Sequence, residues 1–155
     1  MFLTKPLSTG IICTALERGT TDTTREEEVY RVMAHLNRGA AEAMVSTGVN
    51  ACTDVTGFGL LGHLAEMLSA SGVSARLHMT QVPVMPGAKE AAAEGLFPAG
   101  AERNYRFLKD QVAWGERIKQ EEAMLWCDPQ TSGGFLILER STIRPETHDP
   151  EDLSQ

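Results

Sequence analysis

Cysteine is scarce in this sequence: its 155 residues contain only three, Cys13, Cys52 and Cys127. The number is odd and no two of them have C-x-x-C spacing, which argues against a disulfide framework and against a zinc site. Each lies in or beside an apolar segment, where a free cysteine behaves as a small buried hydrophobe. We therefore predict three buried thiols without a nucleophilic role, because no activating base stands near them in the sequence.

Long hydrophobic runs and an excess of basic residues are also missing. The longest apolar runs are far shorter than the roughly 20 residues that a membrane helix needs, and residues 1–6 lack the pattern of a signal peptide. Asp and Glu (21) outnumber Lys and Arg (14), which gives a net charge of −7. Such a chain is poorly suited to neutralise nucleic-acid phosphates. These absences predict a cytoplasmic protein that binds neither membranes nor nucleic acid.

The composition that remains is that of one ordinary globular domain. Hydrophobic residues make up 42% of the chain and charged residues 23%, and the length is sufficient for a hydrophobic core. Strands are predicted to alternate with helices, which favours an α/β or α+β fold with helices layered on one mixed sheet. The patterns predict strands at residues 7–16, 49–55, 73–80 and 135–138, and helices at 24–46, 60–71 and 86–94, with Thr24 as the first N-cap and Gly48, Gly72 and Gly95 as stops.

The last residues differ from the rest of the chain. Residues 141–155 contain two prolines and little apolar content, so they cannot bury enough surface to offset the entropy of ordering. We expect one domain over residues 1–140, followed by a disordered polar tail over residues 141–155.

Residues 50–64, which read N-A-C-T-D-V-T-G-F-G-L-L-G-H-L, are the most informative segment. Gly57, Gly59 and Gly62 satisfy the G-x-G-x-x-G pattern of a dinucleotide site between a strand and a helix. That pattern also requires an apolar strand and an acidic residue roughly 20 positions onward. Here the strand carries polar residues and residues 75–80 contain no acid, so the dinucleotide interpretation is disfavoured.

A second interpretation centres on Asp54, which ends the predicted strand just before the glycine-rich turn. Mg²⁺ is usually held by one or two carboxylates together with substrate phosphates, and a turn that opens a helix presents backbone N–H groups to a phosphate. The competing structural interpretation is that Asp54 caps the turn or helix. Thr56 and the amide of Gly57 are candidates for contact with a phosphate or a metal-bound water.

Residues 127–135, C-D-P-Q-T-S-G-G-F, form a second distinctive segment. Asp-Pro favours a turn, and paired glycines relax the backbone before a predicted buried strand. Taken alone, this segment favours a structural turn.

Taken together, residues 53–63 and 128–134 resemble the C-terminal domain of selenophosphate synthetase (selenide, water dikinase). Residues 3–10 are similar to the strand that opens that domain, Leu36 and Asn37 with residues 40–44 to its first helix, and residues 102–104 to a later loop. The resemblance runs in order from about residue 3 to residue 138 through five separate motifs.

The resemblance implies the fold of the aminoimidazole ribonucleotide synthetase-like superfamily, in which an N-terminal dimerising domain precedes an α/β domain like this one. It implies an enzyme that converts selenide, ATP and water to selenophosphate, AMP and phosphate with Mg²⁺. Asp54 matches the metal-binding aspartate that the second domain contributes. The family's catalytic groups and its other metal ligands lie in the N-terminal domain, which this chain does not match, so no catalytic residue is expected here.

Departures from the family limit this expectation. Ser8 replaces a glycine, and the family pattern is lost after Leu138, as in a domain fragment, a split gene product or a truncated reading frame. We expect the isolated chain to be inactive and to need an N-terminal catalytic partner, with a homodimer in the complete enzyme. The alternative is a non-catalytic remnant or binding module of the same fold, and an adjacent reading frame that encodes the missing domain would discriminate between the two.

Four further residues are candidates for function. His63 is predicted to be a satisfied histidine on a partly apolar helix face rather than a ligand. Asn37 and Arg103 are more consistent with structural roles, although both could face a cleft toward a partner domain. Lys5 matches the family but has no derivable role.

Overall fold

The computed structural model of the protein describes residues 1–139. The predicted polar tail, residues 141–155, lies outside the described residues. The elements in chain order are β1 (Phe2–Leu3), α1 (Thr9–Glu17), α2 (Thr23–Ala34), α3 (Arg38–Thr47), β2 (Ala51–Asp54), α4 (Gly59–Ser71), a 3₁₀ turn (Met79–Gln81), α5 (Ala88–Ala93), α6 (Ala99–Leu108), α7 (Gln120–Leu125) and β3 (Phe135–Leu138). Helices combined with one sheet confirm the predicted α/β (α+β) class.

The sheet has the strand order β1–β3–β2, and both pairings are antiparallel, whereas a mixed sheet was predicted. β3 is central because β1 and β2 both pair with it, and its Leu136 is fully buried. The last residue of β2, Asp54, pairs with Phe135, the first residue of β3. This register places the end of β2 beside the segment that leads into β3.

Helix α4 and strand β3 confirm the sequence-based prediction. The apolar stripe of α4 is buried in the main core through Leu60, Leu61, Leu64 and Met67. The helix ends at Gly72, whose φ of 63° is left-handed, as a glycine C-cap permits without steric cost. Both elements were predictable because their apolar periodicity is local and strong.

The predicted strand at residues 7–16 is wrong, because these residues form helix α1. Their Ile and Thr content favours strands only as a weak propensity, which tertiary contacts override. Here side chains more than 115 positions away hold the first turn of the helix, as described below. Of residues 7–16, only Leu7 pairs as in a strand, through an isolated bridge to Val84.

The predicted strand at residues 73–80 is also wrong. This segment has no strand pairing and ends in the 3₁₀ turn. Leu77 and Met79 nevertheless pack on the main core as half-buried side chains, while Val73 is 57% exposed. The alternating apolar side chains therefore pack on the core from an irregular segment and not from a strand.

The single helix predicted over residues 24–46 is divided into α2 and α3. It begins earlier than predicted, because Asp22 and not Thr24 is the N-cap: its carboxylate accepts from the Arg25 N–H at 3.0 Å. α2 ends where His35 adopts an extended conformation, and Asn37 then starts α3. Gly48 ends α3 as predicted.

All three cysteines are free thiols. Cys127 is buried, whereas Cys13 and Cys52 are half-buried. Burial raises the pKa of Cys127 to about 12 and also raises the pKa of the other two thiols. All three are therefore poor nucleophiles near neutral pH.

Within residues 1–139, no helix combines the length and the apolar character that a membrane span requires.

Candidate functional site

The two segments singled out in the sequence lie against each other and form one unit. The Val55 N–H donates to the Gly134 carbonyl at 2.8 Å, and the Gln130 N–H donates to the Thr56 carbonyl at 2.9 Å. One turn into α4, the Leu61 N–H donates to the Trp126 carbonyl at 3.2 Å. Backbone hydrogen bonds thus join residues 54–61 to residues 126–134, and this pairing fixes the position of the turn that follows Asp54.

Two glycines permit this close approach. A Cβ on Gly133 would lie 1.9 Å from the Val55 carbonyl oxygen, far inside van der Waals contact. Gly59 has a φ of +69°, and a Cβ there would lie 2.6 Å from the backbone of Cys127. Gly59 and Gly133 are therefore required by backbone packing, a role that does not involve a dinucleotide.

Asp54 lies at the exposed end of β2. In the part of the chain that the structure describes, its carboxylate makes no hydrogen bond and no ion pair. The competing capping role is not observed, since the N-cap of α4 is Phe58 and no side chain caps that helix. The carboxylate is thus free to interact with a ligand.

The turn after Asp54 also presents free backbone donors. Gly57 and Phe58 are exposed, and over residues 1–139 neither of their N–H groups donates to a protein acceptor. The Gly57 carbonyl, in contrast, accepts from the Asn104 side chain at 2.9 Å. A free carboxylate and two free N–H groups within five consecutive residues suit a metal–phosphate ligand, because the cation and the anion find partners side by side.

The Thr56 hydroxyl points to His63 and not to open solvent. It lies 3.2 Å from His63 Nε2, while Nδ1 of the same ring lies 3.5 Å from a carboxylate oxygen of Glu66. The His63 ring is buried and lies 5.4 Å from the ring of Phe58. The structure is consistent with the prediction of a satisfied histidine. This contact uses one hydrogen-bonding position of the Thr56 hydroxyl, and its remaining positions stay available to a ligand.

Asn104 is a residue whose role sequence reasoning missed. Its Nδ2 donates both to the Gly57 carbonyl and to the Cys127 carbonyl, each at 2.9 Å. It therefore clamps the two segments together from α6. The only signal in the sequence was its place in a motif of the resembled family, since an asparagine on a helix has no distinctive local pattern.

Lys5 and Asn37 hold the turn before β3. Lys5 Nζ donates to the Ser132 carbonyl at 2.7 Å, and Asn37 Nδ2 donates to the Gly133 carbonyl at 2.8 Å. Lys5 is buried, and this burial lowers its pKa. Both contacts support structural roles, whereas Arg103 is exposed on α6 beside Asn104.

Asp128 and Gln130 cap helix α1, which the sequence did not suggest. Asp128 Oδ2 accepts from the N–H groups of Gly10 (3.0 Å) and Ile11 (3.3 Å). Gln130 Oε1 accepts from the N–H groups of Ser8 (2.8 Å) and Thr9 (3.1 Å). The second segment thus satisfies the N–H groups at the start of α1 that have no partner within the helix. Gln130 links the two sites, because its side chain caps α1 and its N–H donates to the Thr56 carbonyl.

Comparison with known proteins agrees with this architecture. Residues 2–136 match the family described as AIR synthase related protein, C-terminal domain. The chain belongs to this family. The AIR synthase related C-terminal domain is the fold that the resemblance implied, and the match covers every element from β1 into β3.

Curated relatives of this chain are named as selenide, water dikinases. The chain is 43% identical over 137 residues to "Selenide, water dikinase 2" of Peptoclostridium acidaminophilum, covering 88% of this chain and 39% of the relative. It is 47% identical to the Pelobacter propionicus enzyme over 137 residues (88% and 39%) and 41% identical to the Clostridium botulinum enzyme over 155 residues (100% and 44%). The chain spans about two fifths of the length of these relatives.

The donor set of this domain fits Mg²⁺ only as part of a shared site. Among residues 1–139, no group of three or more His, Cys, Asp or Glu side chains is placed to hold a metal ion. Mg²⁺ keeps several waters and often takes one or two carboxylates plus phosphates. Asp54 therefore suits one protein ligand of such an ion, and the rest of the coordination shell would come from groups outside these residues.

Asp128 also makes the domain sensitive to pH. Burial raises the pKa of Asp128 to about 7, although hydrogen bonds from Ile11, Gln130 and Gly10 oppose the shift. Its Oδ1 is buried with no hydrogen-bond partner in the described chain, so the charged form is poorly stabilised. Below about pH 7 the neutral form is therefore favoured in the folded state.

We expect the free energy of unfolding to fall as pH rises from about 4 to about 7 because of Asp128. The folded-state pKa lies above the unfolded value, so the stabilising contribution is complete below the unfolded pKa and is lost as pH passes the folded pKa, by up to about 4 kcal/mol. The Asp128→Asn variant keeps an acceptor for α1 but does not titrate. Urea denaturation of both proteins between pH 4 and 8 should give a difference curve with this slope, and parallel curves would contradict the assignment.

Proposed function

We propose that this chain is the C-terminal part of an ATP-dependent selenophosphate synthetase, which converts selenide, ATP and water to selenophosphate, AMP and phosphate. Three relatives that carry the name selenide, water dikinase support this function at 41–47% identity. The interlocked segments 54–61 and 126–134 hold Asp54 and the turn after it in place, which supports the proposal.

The observation that carries the proposal is the free carboxylate of Asp54 beside unpaired backbone donors. Asp54 would provide one ligand to Mg²⁺, and the N–H groups of Gly57 and Phe58 would face the phosphates of ATP. Thr56 would lie next to the phosphates, held by His63. When bound, the metal neutralises phosphate charge and acts as a Lewis acid.

The remaining machinery would come from a partner. We propose that an N-terminal catalytic domain supplies the other metal ligands and the reactive groups, and that the complete enzyme is a homodimer. A cytoplasmic location is consistent with three free thiols and no disulfide in the described chain, because reducing compartments maintain that state.

Reconstitution tests this function. The purified chain alone is expected to release no AMP from ATP in the presence of selenide and Mg²⁺, because it offers one metal carboxylate and no nucleophile. Mixing it with the N-terminal part of the Peptoclostridium acidaminophilum relative should restore selenide-dependent AMP release. The N-terminal part alone is the control.

Two outcomes would contradict the proposal. Selenide-dependent AMP release by this chain alone would show that it holds catalytic groups of its own. A mixture whose two parts associate but remain inactive would favour the alternative, a non-catalytic remnant or binding module of the same fold.

A further inference from the structure

Thr56 lies close to Asp54 in the chain, and its main chain is fixed at two points. Its carbonyl accepts from the Gln130 N–H at 2.9 Å and from the Gly59 N–H at 3.1 Å. Val55, between Asp54 and Thr56, is fully buried, whereas Asp54 is exposed and Thr56 is half-buried. Both side chains therefore remain accessible at the same turn, and the direction of the Thr56 hydroxyl proton decides what this group offers a ligand.

His63 contacts the Thr56 hydroxyl through one ring nitrogen. Nε2 lies 3.2 Å from the hydroxyl oxygen, and Nδ1 lies 3.5 Å from a carboxylate oxygen of Glu66. A neutral imidazole carries its proton on one nitrogen and offers the other as an acceptor. The carboxylate beside Nδ1 favours a proton on that nitrogen, because the partner of one ring nitrogen sets the tautomer. Nε2 is then the acceptor, and the Thr56 hydroxyl donates to it.

This direction of donation leaves the Thr56 hydroxyl with acceptor positions alone. A hydroxyl has one proton and two lone pairs, and His63 takes up the proton. Phosphate oxygens are acceptors themselves, so they gain no hydrogen bond from the remaining lone pairs. Water bound to a cation is a donor, and Mg²⁺ usually keeps several waters in protein sites. Near the free carboxylate of Asp54, the hydroxyl therefore suits the hydration shell of a cation.

We propose that His63 and Glu66 orient the Thr56 hydroxyl to accept a hydrogen bond from a water of the cation that Asp54 binds. This role rests on the proposed function, in which that cation is Mg²⁺. His63 and Glu66 act through Thr56, which makes them positioning residues. The opposite tautomer would turn the Thr56 proton outward, toward phosphate. The tautomer of His63 thus discriminates between two roles of the same hydroxyl.

Long-range ¹H–¹⁵N NMR spectra of the purified chain measure this tautomer, at about pH 8, where histidine is usually neutral. Through-bond assignment connects the ring signals to the His63 backbone. We expect the proton on Nδ1 in the wild type and a shift toward the Nε2–H form in Glu66→Ala. Glu27→Ala, which changes an exposed glutamate of α2, should leave the tautomer unchanged. A wild-type ring with a proton on Nε2, whether neutral or charged, would overturn the proposal.

Mn²⁺ binding to the same chain gives a second measurement, through the paramagnetic broadening of backbone N–H signals at residues 54–58. Thr56→Val keeps the shape of the side chain but removes the hydroxyl. It should raise the Mn²⁺ concentration for half-maximal broadening about fivefold, the value of one hydrogen bond. Thr56→Ser retains the hydroxyl and should stay within about twofold of the wild type.

Asp110, an exposed aspartate outside the site, supplies the control. The Mn²⁺ concentration that broadens its signal should be the same in all three proteins. Neither measurement uses selenide or an N-terminal partner, so both can fail while the reconstituted pair is active and both can succeed while it is inactive. Equal broadening at residues 54–58 in Thr56→Val and in the wild type would overturn the proposal.

Discussion

The Asp54→Asn variant should fold normally. When it is mixed with the N-terminal part of the relative, the rate of Mg²⁺-dependent selenophosphate synthesis should be at least about 100-fold lower than with the wild-type chain. The carboxylate makes no contact within residues 1–139, so the free energy of unfolding should stay within about 0.5 kcal/mol of the wild type. An amide lacks the negative charge that a hard cation prefers, and the loss of a metal's charge stabilisation costs several kcal/mol in the transition state. The measurement is AMP release at fixed Mg²⁺ and ATP, together with urea denaturation.

Asp110→Asn is the matched control. Asp110 is an exposed aspartate shortly after α6, and the same change there should leave both activity and stability unchanged. Raising the Mg²⁺ concentration should partly restore the Asp54→Asn variant if the defect is in metal binding. Normal activity in a folded Asp54→Asn protein would remove Asp54 from the metal site, and an unfolded variant would mean that the aspartate is structural.

The fold was predictable where local pattern and tertiary context agree. The stripe of α4, with Leu60 and Leu64, and the apolar strand β3 have periodicities that a short window reveals. Helix α1 was missed because the groups that satisfy its first N–H groups, Asp128 and Gln130, are more than 115 residues away. No local pattern in residues 7–16 contains that information.

The same distinction applies to the candidate site. The sequence made Asp54 a candidate ligand and singled out both segments, because a glycine-rich turn after a predicted strand is a local pattern and the two segments together resemble one family. The side-chain hydrogen bonds that join the segments were not predictable in the same way. Asn104, Lys5 and Asn37 each donate to backbone carbonyls far along the chain. Because every residue has a backbone carbonyl, the residue type of the acceptor does not reveal such a contact.

Gly133→Ala should disrupt the junction on which the site depends. A Cβ at this position would lie 1.9 Å from the Val55 carbonyl oxygen and 3.0 Å from Gln130 Cβ. The first contact is with backbone that is hydrogen-bonded to Gly134, so it cannot yield without breaking the pairing of the two segments. Overpacking of this kind costs about 3 kcal/mol or more.

Gly39→Ala is the control for the same chemical change. Gly39 lies in α3, and a Cβ there would meet nothing within 4 Å, so alanine should raise the free energy of unfolding by up to about 1 kcal/mol. Urea denaturation of the three proteins gives the comparison. In the reconstituted pair, Gly133→Ala should also reduce activity even where the protein remains folded, because the turn that carries Asp54 is held through Val55 and Thr56. A Gly133→Ala protein as stable and as active as the wild type would mean that the two segments do not interlock at this contact.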